Sequence, residues 1–187
     1  MVKNIIQAIF FLIAAPHRGW RRVADRDVEQ QDFISNFLFP VFGFIAIPAF
    51  VGGMWLTDNG GIHWGLKQVI ILVSALFGGF YLVSYLLNEL FPRFGLVKQL
   101  HVAQLFVGYS SVVVYLLFFL MPLLHGAGYL WFAAIYTLYV VYAGAEVFLC
   151  VTANKKLSVT VIASLLIVVV PVGLSLLLKS LMTILPG

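Results

Sequence analysis

The chain has 187 residues, of which 63% are hydrophobic and only 10% charged, and its mean hydropathy is +1.06. Such a composition excludes a soluble domain, because water cannot be the main solvent of a chain this apolar. The formal charge of +4 is scattered between apolar blocks instead of forming a continuous face, which fits orientation in a membrane and argues against nucleic acid as a partner. Cys150 is the only cysteine, so an intrachain disulfide and any multi-cysteine zinc motif are excluded.

Residues 1–32 read as a cytoplasmic, interfacial region distinct from the rest of the chain. Met1 to Ala15 places Lys3 before an apolar run ending in Ala14-Ala15, a pattern that imitates a signal peptide. Cleavage there would export Arg18, Arg21, Arg22 and Arg26, against the rule that cytoplasmic loops carry the cations. The run is also too short to span, so it reads as an interfacial or re-entrant helix, with a flexible basic tail as the alternative. Pro16 then suits the first position of a second helix. Its Trp20 and Val23 are expected to face lipid, with Arg18, Arg21 and Arg22 on headgroup phosphates.

From residue 33 to 187 the chain reads as an all-α, five-span transmembrane bundle. A bilayer core needs about 20 mostly apolar residues per helix. Five blocks have that length: roughly Phe33 to Trp55, Gln68 to Phe91, Leu100 to Leu124, Tyr129 to Val151 and Ser158 to Leu178. Between them lie short breakers, namely Asn59-Gly60-Gly61, Pro92-Arg93-Phe94-Gly95, His125-Gly126-Ala127-Gly128 and Ala153-Asn154-Lys155-Lys156. Pro40, Pro48, Pro122 and Pro171 are tolerated inside spans and are expected to kink them. Ala75 and Gly79 form a small-xxx-small pair for close helix contact.

Orientation follows from the cations. Lys3, Arg18, Arg21, Arg22, Arg26, Arg93, Lys98, Lys155 and Lys156 share one side, against Lys67 and Lys179 on the other. That bias predicts a cytoplasmic N-terminus and an external C-terminus. Trp20 on one side and Trp55, Trp64, Tyr129 and Trp131 on the other fit two aromatic belts.

Polar residues within the spans gather in the cytoplasmic leaflet: Asn36, Asn88, Glu89, His101, Gln104 and Glu146. At about 100° per residue, His101, Gln104, Gly108, Ser111 and Tyr115 share one face of the third span. Ser74, Gly78, Tyr81, Tyr85 and Asn88 share a face of the second, and Tyr139, Tyr142 and Glu146 a face of the fourth. Polar stripes avoid lipid, so these three faces are expected to meet inside the bundle. Glu146 is the most informative residue, since a carboxylate at that depth is costly. It locks the helices through a hydrogen bond, acts as a titrating or ligand site, with a Tyr hydroxyl or His101 as its partner, or faces lipid and snorkels to the headgroups. Glu89 is expected to pair with Arg93 at i+4. Cys150 reads as a small packing side chain or a palmitoylation site near the interface.

No His-Glu-x-x-His, Gly-x-Ser-x-Gly, Walker or dinucleotide signature is present, so neither an enzyme nor a cofactor or metal site is expected. Pro16-x-x-Gly19-Trp20 before a short charged stretch, five spans, and Gly108-Tyr109-Ser110 in the third resemble the Yip domain family of Ypt-interacting membrane proteins, in its short bacterial form. The resemblance covers nearly the whole chain. It implies the fold and a non-enzymatic membrane-organising or partner-recruiting role. Eukaryotic members associate with Rab-type GTPases, but this chain lacks their long N-terminal region and Tyr-Gly-Pro motif, so GTPase binding is not implied. The expected partners are anionic headgroups at the cytoplasmic face, with a protein partner or a second copy also open. The alternative function is a small transporter or channel built on Glu146 and His101. Reporters fused to the N-terminus and after Gly187 should report opposite sides of the membrane; finding both ends on one side would reject the five-span reading.

Overall fold

The computed structural model describes residues 2–25, 30–55, 60–124 and 128–184. Arg26, Asn59, His125, Gly126 and Ala127, which entered the sequence expectations, lie outside the described residues. The described residues form helices and no strand: α1 Val2–Ala14, α2 Pro16–Ala24, α3 Gln30–Phe33, a π-helical turn Ile34–Leu38, α4 Phe39–Trp55, α5 Ile62–Leu90, α6 Leu100–Ser110, α7 Val112–Leu120, a 3-10 segment Gly128–Ile135, α8 Tyr136–Val147 and α9 Ala153–Ile184. A bilayer core offers no partner for a free N–H or C=O, so a chain this apolar must satisfy its backbone within helices.

Four helical stretches are long and apolar enough to cross a membrane: Gln31–Trp55, Ile62–Phe94, Gly128–Val147 and Ala153–Met182. The expected third span is broken. Its halves, Leu100–Ser110 and Val112–Leu120, meet at an angle of 46°. The protein is therefore a polytopic all-α membrane protein, with one of its five apolar blocks bent in the middle. The bend was expected at a proline and falls instead at Ser111. The Ser111 hydroxyl donates to the Val107 carbonyl, four residues back, at 2.7 Å, and such back-bonding competes with the backbone ladder and bends helices. Pro48 and Pro171 sit inside α4 and α9, which run through them as single helices.

Lipid tails are as apolar as leucine, so helix association here rests on close packing and interhelical hydrogen bonds. Glycines supply the close approach. A Cβ at Gly53 would lie 2.8 Å from the Trp64 carbonyl and one at Gly65 2.9 Å from that of Phe50, which brings α4 and α5 into backbone contact. Gly79 meets Pro171 in the same way, a Cβ there lying 2.8 Å from the proline Cγ, so the Ala75 and Gly79 face is the seam between α5 and α9. These two helices run antiparallel, and Lys67 at the start of α5 donates to the Met182 carbonyl near the end of α9 at 2.7 Å. The π-helical turn widens the start of the first span and sets Phe33 and Phe37 side by side, with ring centroids 5.5 Å apart. Both rings pack on Tyr109 of α6, at 4.9 and 4.7 Å, and the Phe33 ring fills the space a side chain at Gly108 would take.

The polar stripes are arranged differently from the expectation. In the third span Gln104, Gly108, Ser111 and Tyr115 are buried, but His101 is exposed. Along α5 the buried face is Ile71, Leu72, Ala75, Leu76, Gly79, Phe80, Val83, Ser84 and Leu87, so Ser74, Gly78, Tyr81 and Tyr85 point outward and Asn88 is half-buried. Tyr139, Tyr142 and Glu146 are also exposed. Spacing alone identified faces, not which face is inside; the need for glycine against proline and for ring against ring placed the apolar and small residues inward.

Two glycine substitutions should separate packing from helix propensity. Gly108→Ala forces the Phe33 ring aside and should lower thermal stability in detergent by about 1–3 kcal/mol. Gly173→Ala meets nothing within 4 Å and should leave stability unchanged or raise it by about 0.5–1 kcal/mol. Equal effects at the two positions would contradict the packing described.

Candidate functional site

The N-terminal region carries the first part of the site. α1 and α2 form a hairpin turning at Ala15, whose carbonyl accepts from the backbone N–H groups of Arg18 and Gly19, both at 2.9 Å. Pro16 opens α2 because its fixed φ and missing N–H suit a first turn. The arms touch at Gly19, where a Cβ would come within 2.9 Å of the Leu12 backbone. A nine-residue helix is marginal alone, so α2 depends on its buried face. That face is Pro16, Gly19, Trp20 and Val23, spaced i, i+3, i+4, i+7 as on one side of a helix.

Trp20 is fully buried, and its indole N–H donates to the Val140 carbonyl of α8 at 2.9 Å. The ring occupies a notch left by Gly144, where a Cβ would lie 2.5 Å from the indole. Phe106, Tyr109 and Phe148 surround it at 5.6, 6.2 and 5.4 Å. Trp20 and Val23, expected to face lipid, are thus inside the protein, because an indole N–H gains a carbonyl acceptor there that acyl chains cannot supply. Arg18, Arg21 and Arg22 occupy the opposite, exposed side of α2. The Arg22 guanidinium lies over the Phe11 ring of α1, 3.6 Å from its centroid.

Beside this helix, α8 presents the residues singled out in the fourth span. Glu146 pairs with Lys156 of α9 at 2.5 Å, and the carboxylate side chain is 47% exposed. Lys156 also lies over the Tyr142 ring, 4.4 Å from its centroid. His17 of α2 meets Tyr139 edge to face at 6.1 Å, and His17 and Arg21 are close enough to act on the charge of Glu146. Nearer the middle of the span, Tyr136 donates its hydroxyl to the Ile13 carbonyl of α1 at 2.6 Å. The result is a lateral row of tyrosines and charges on the outside of the bundle.

The expected partners of the two acids are replaced. Glu146 has Lys156 in place of His101, and Glu89 pairs with Lys98 at 2.5 Å in place of Arg93. In each case a turn of chain beyond the helix folds a lysine back over the acid, which helical spacing cannot foresee. Asn88 has a buried Oδ1 without a hydrogen-bond partner, and Gln104 is buried in α6. Among the described residues no three His, Cys, Asp or Glu side chains come together.

The six positions on which the sequence resemblance rests, Pro16, Gly19, Trp20, Gly108, Tyr109 and Ser110, are buried, and the two segments that hold them meet through Trp20 and Tyr109. Sequence reasoning missed Gly144, His17, Lys156 and Phe33. The spacing of Pro16, Gly19, Trp20 and Val23 was the signal for docking of α2, and it was overridden by the proximity of three arginines. No protein-family model, curated protein or solved structure matches the chain.

Docking of α2 and the Glu146 pair should differ sharply in weight. Trp20→Ala empties the Gly144 notch and removes an interhelical hydrogen bond, and should cost about 3 kcal/mol of thermal stability. Glu146→Gln keeps the shape of an exposed side chain and should leave the melting temperature nearly unchanged. A larger loss for the Glu146 variant would reverse this assignment.

Proposed function

We propose that the protein is a non-enzymatic membrane-organising factor of the Yip-like type, which binds anionic lipid headgroups through its basic end. The observation that carries this reading is the docked α2. Trp20 fixes the helix against α8, and the helix in turn holds Arg18, Arg21 and Arg22 exposed in a fixed row. A flexible basic tail would attract phosphates only by charge; a row held by a buried indole also sets their position and spacing. Lys156 and His17 lie against Tyr142 and Tyr139 of the neighbouring α8.

Meeting of the Pro16-Gly19-Trp20 and Gly108-Tyr109-Ser110 segments supports the Yip-like reading, since it gives both motifs one physical purpose. The cations at this end, with Lys67 and Lys179 at the other, favour a cytoplasmic N-terminus and an external C-terminus in a bacterial inner membrane. A small transporter or channel working through Glu146 would need that carboxylate in an internal path. Its position on the outer surface of the bundle, closed by Lys156, does not support that alternative.

The test uses full-length protein in detergent, titrated with phosphatidylglycerol or phosphatidylcholine of the same chain length. Phosphatidylglycerol should raise the melting temperature more, and the Arg18→Gln, Arg21→Gln, Arg22→Gln triple variant should lose most of that difference, at about 1 kcal/mol of binding per basic residue. Equal stabilisation of the parent protein by both lipids would reject the proposal.

A further inference from the structure

We infer that the α1–α2 hairpin fills one leaflet only, making the protein a wedge that accumulates where that leaflet is stretched by membrane curvature. This deepens the membrane-organising reading but depends on shape, not on headgroup charge.

Neither arm of the hairpin is long enough to span. With 13 and nine residues, α1 and α2 measure about 20 and 14 Å at 1.5 Å per residue, so neither crosses a core about 30 Å thick. Their partners fix their depth. The hairpin turn is tied at Ile13 to Tyr136, which opens α8 and lies about 16 Å along the helix axis from Val147 at its basic end. Halfway up α2, Trp20 lies beside Phe106 and Tyr109, about 9–14 Å along α6 from Leu100. The same indole donates to Val140 and fills the notch at Gly144, three residues from the end of α8. The hairpin therefore descends from the basic end to about mid-bilayer and returns.

Its outer surface suits that depth. Ile6 and Phe10 on α1 are 61% and 63% exposed, and acyl chains are the solvent in which such a face costs nothing. The Arg22 guanidinium is held over the Phe11 ring between the two arms, where a cation is partly shielded by an aromatic face.

The two leaflets are then unequally filled. At the basic end α1, α2, the start of the first span, the end of α5, α6, α8 and the start of α9 share the cross-section. At the other end only the ends of α4 and α9, the start of α5, α7 and the 3-10 segment remain. Two additional helices, each about 10–12 Å across, add on the order of 200 Å² to one leaflet. A flat bilayer must compress its lipids around that excess, whereas a membrane curved away from the hairpin side accommodates it.

The experiment uses full-length protein in giant vesicles of neutral phosphatidylcholine. A membrane-impermeant maleimide dye applied from outside labels Cys150, which is exposed in the loop between α8 and α9, and so reports molecules with the hairpin outward. A thin tube is pulled from the vesicle, and dye density per membrane area is compared between tube and parent. Enrichment of two-fold or more in the tube is expected. Equal density, or depletion, would overturn the inference. Ile6→Asp with Phe10→Asp alters only exposed side chains and should expel α1 from the acyl region, bringing the ratio close to one; undiminished enrichment in that variant would overturn the assignment of the wedge to the hairpin. Since the lipid is neutral, these results stand apart from the headgroup-charge test.

Discussion

The Trp20 indole in the notch at Gly144 is the contact on which the placement of the N-terminal hairpin depends. In lipid there is no hydrophobic force pressing helices together, so a short amphipathic helix beside a bundle must be held by shape and by a hydrogen bond. The notch supplies shape, and the Val140 carbonyl supplies the bond. The carbonyl already serves the α8 ladder, so the indole uses its second lone pair and leaves no backbone group orphaned. Without that seat, the buried face of α2 has no partner and the arginine row has no fixed position.

The same economy recurs through the bundle. Gly53 and Gly65 admit backbone to backbone, Gly79 admits a proline ring, Gly108 admits Phe33 and Gly144 admits Trp20. Aromatic rings then close the middle of the basic half, with Phe33, Phe37, Tyr109, Phe106, Trp20 and Phe148 in a connected set. Rigid rings with few rotamers lose little freedom on packing, which matters where burial itself gains nothing over lipid. The carboxylates of Glu89 and Glu146 are left at the rim, where they are met by lysines from the loop and helix beyond them.

The all-helical, polytopic class and the Pro16 helix start were legible in the sequence because each rests on a local rule: apolar length with backbone satisfaction, and a missing N–H. Which side of a helix faces inward was not. Tyr81 and Tyr85 look like interior residues by polarity, yet Gly79 and Ala75 on the other side of α5 decide the matter, since only small residues let α9 approach. Trp20 was misjudged for a related reason. Neighbouring arginines suggested an interfacial ring, while the glycine that receives it lies far along the chain in α8. The broken third span was hidden as well, because a serine bends a helix only when its hydroxyl turns back onto the ladder, as at Ser111.

The separation of Trp20 and Val140 by 120 residues has a meaning in time. A chain grows at about 5–20 residues per second, so α2 leaves the ribosome roughly 6–24 s before the carbonyl and notch that receive it. Throughout that interval the hairpin lacks its seat on α8. Its apolar arm and its arginines must be held by the lipid surface or the insertion machinery, and α8 arrives into a place already occupied on one side. The oldest segment of the molecule is thus among the last to reach its final contacts.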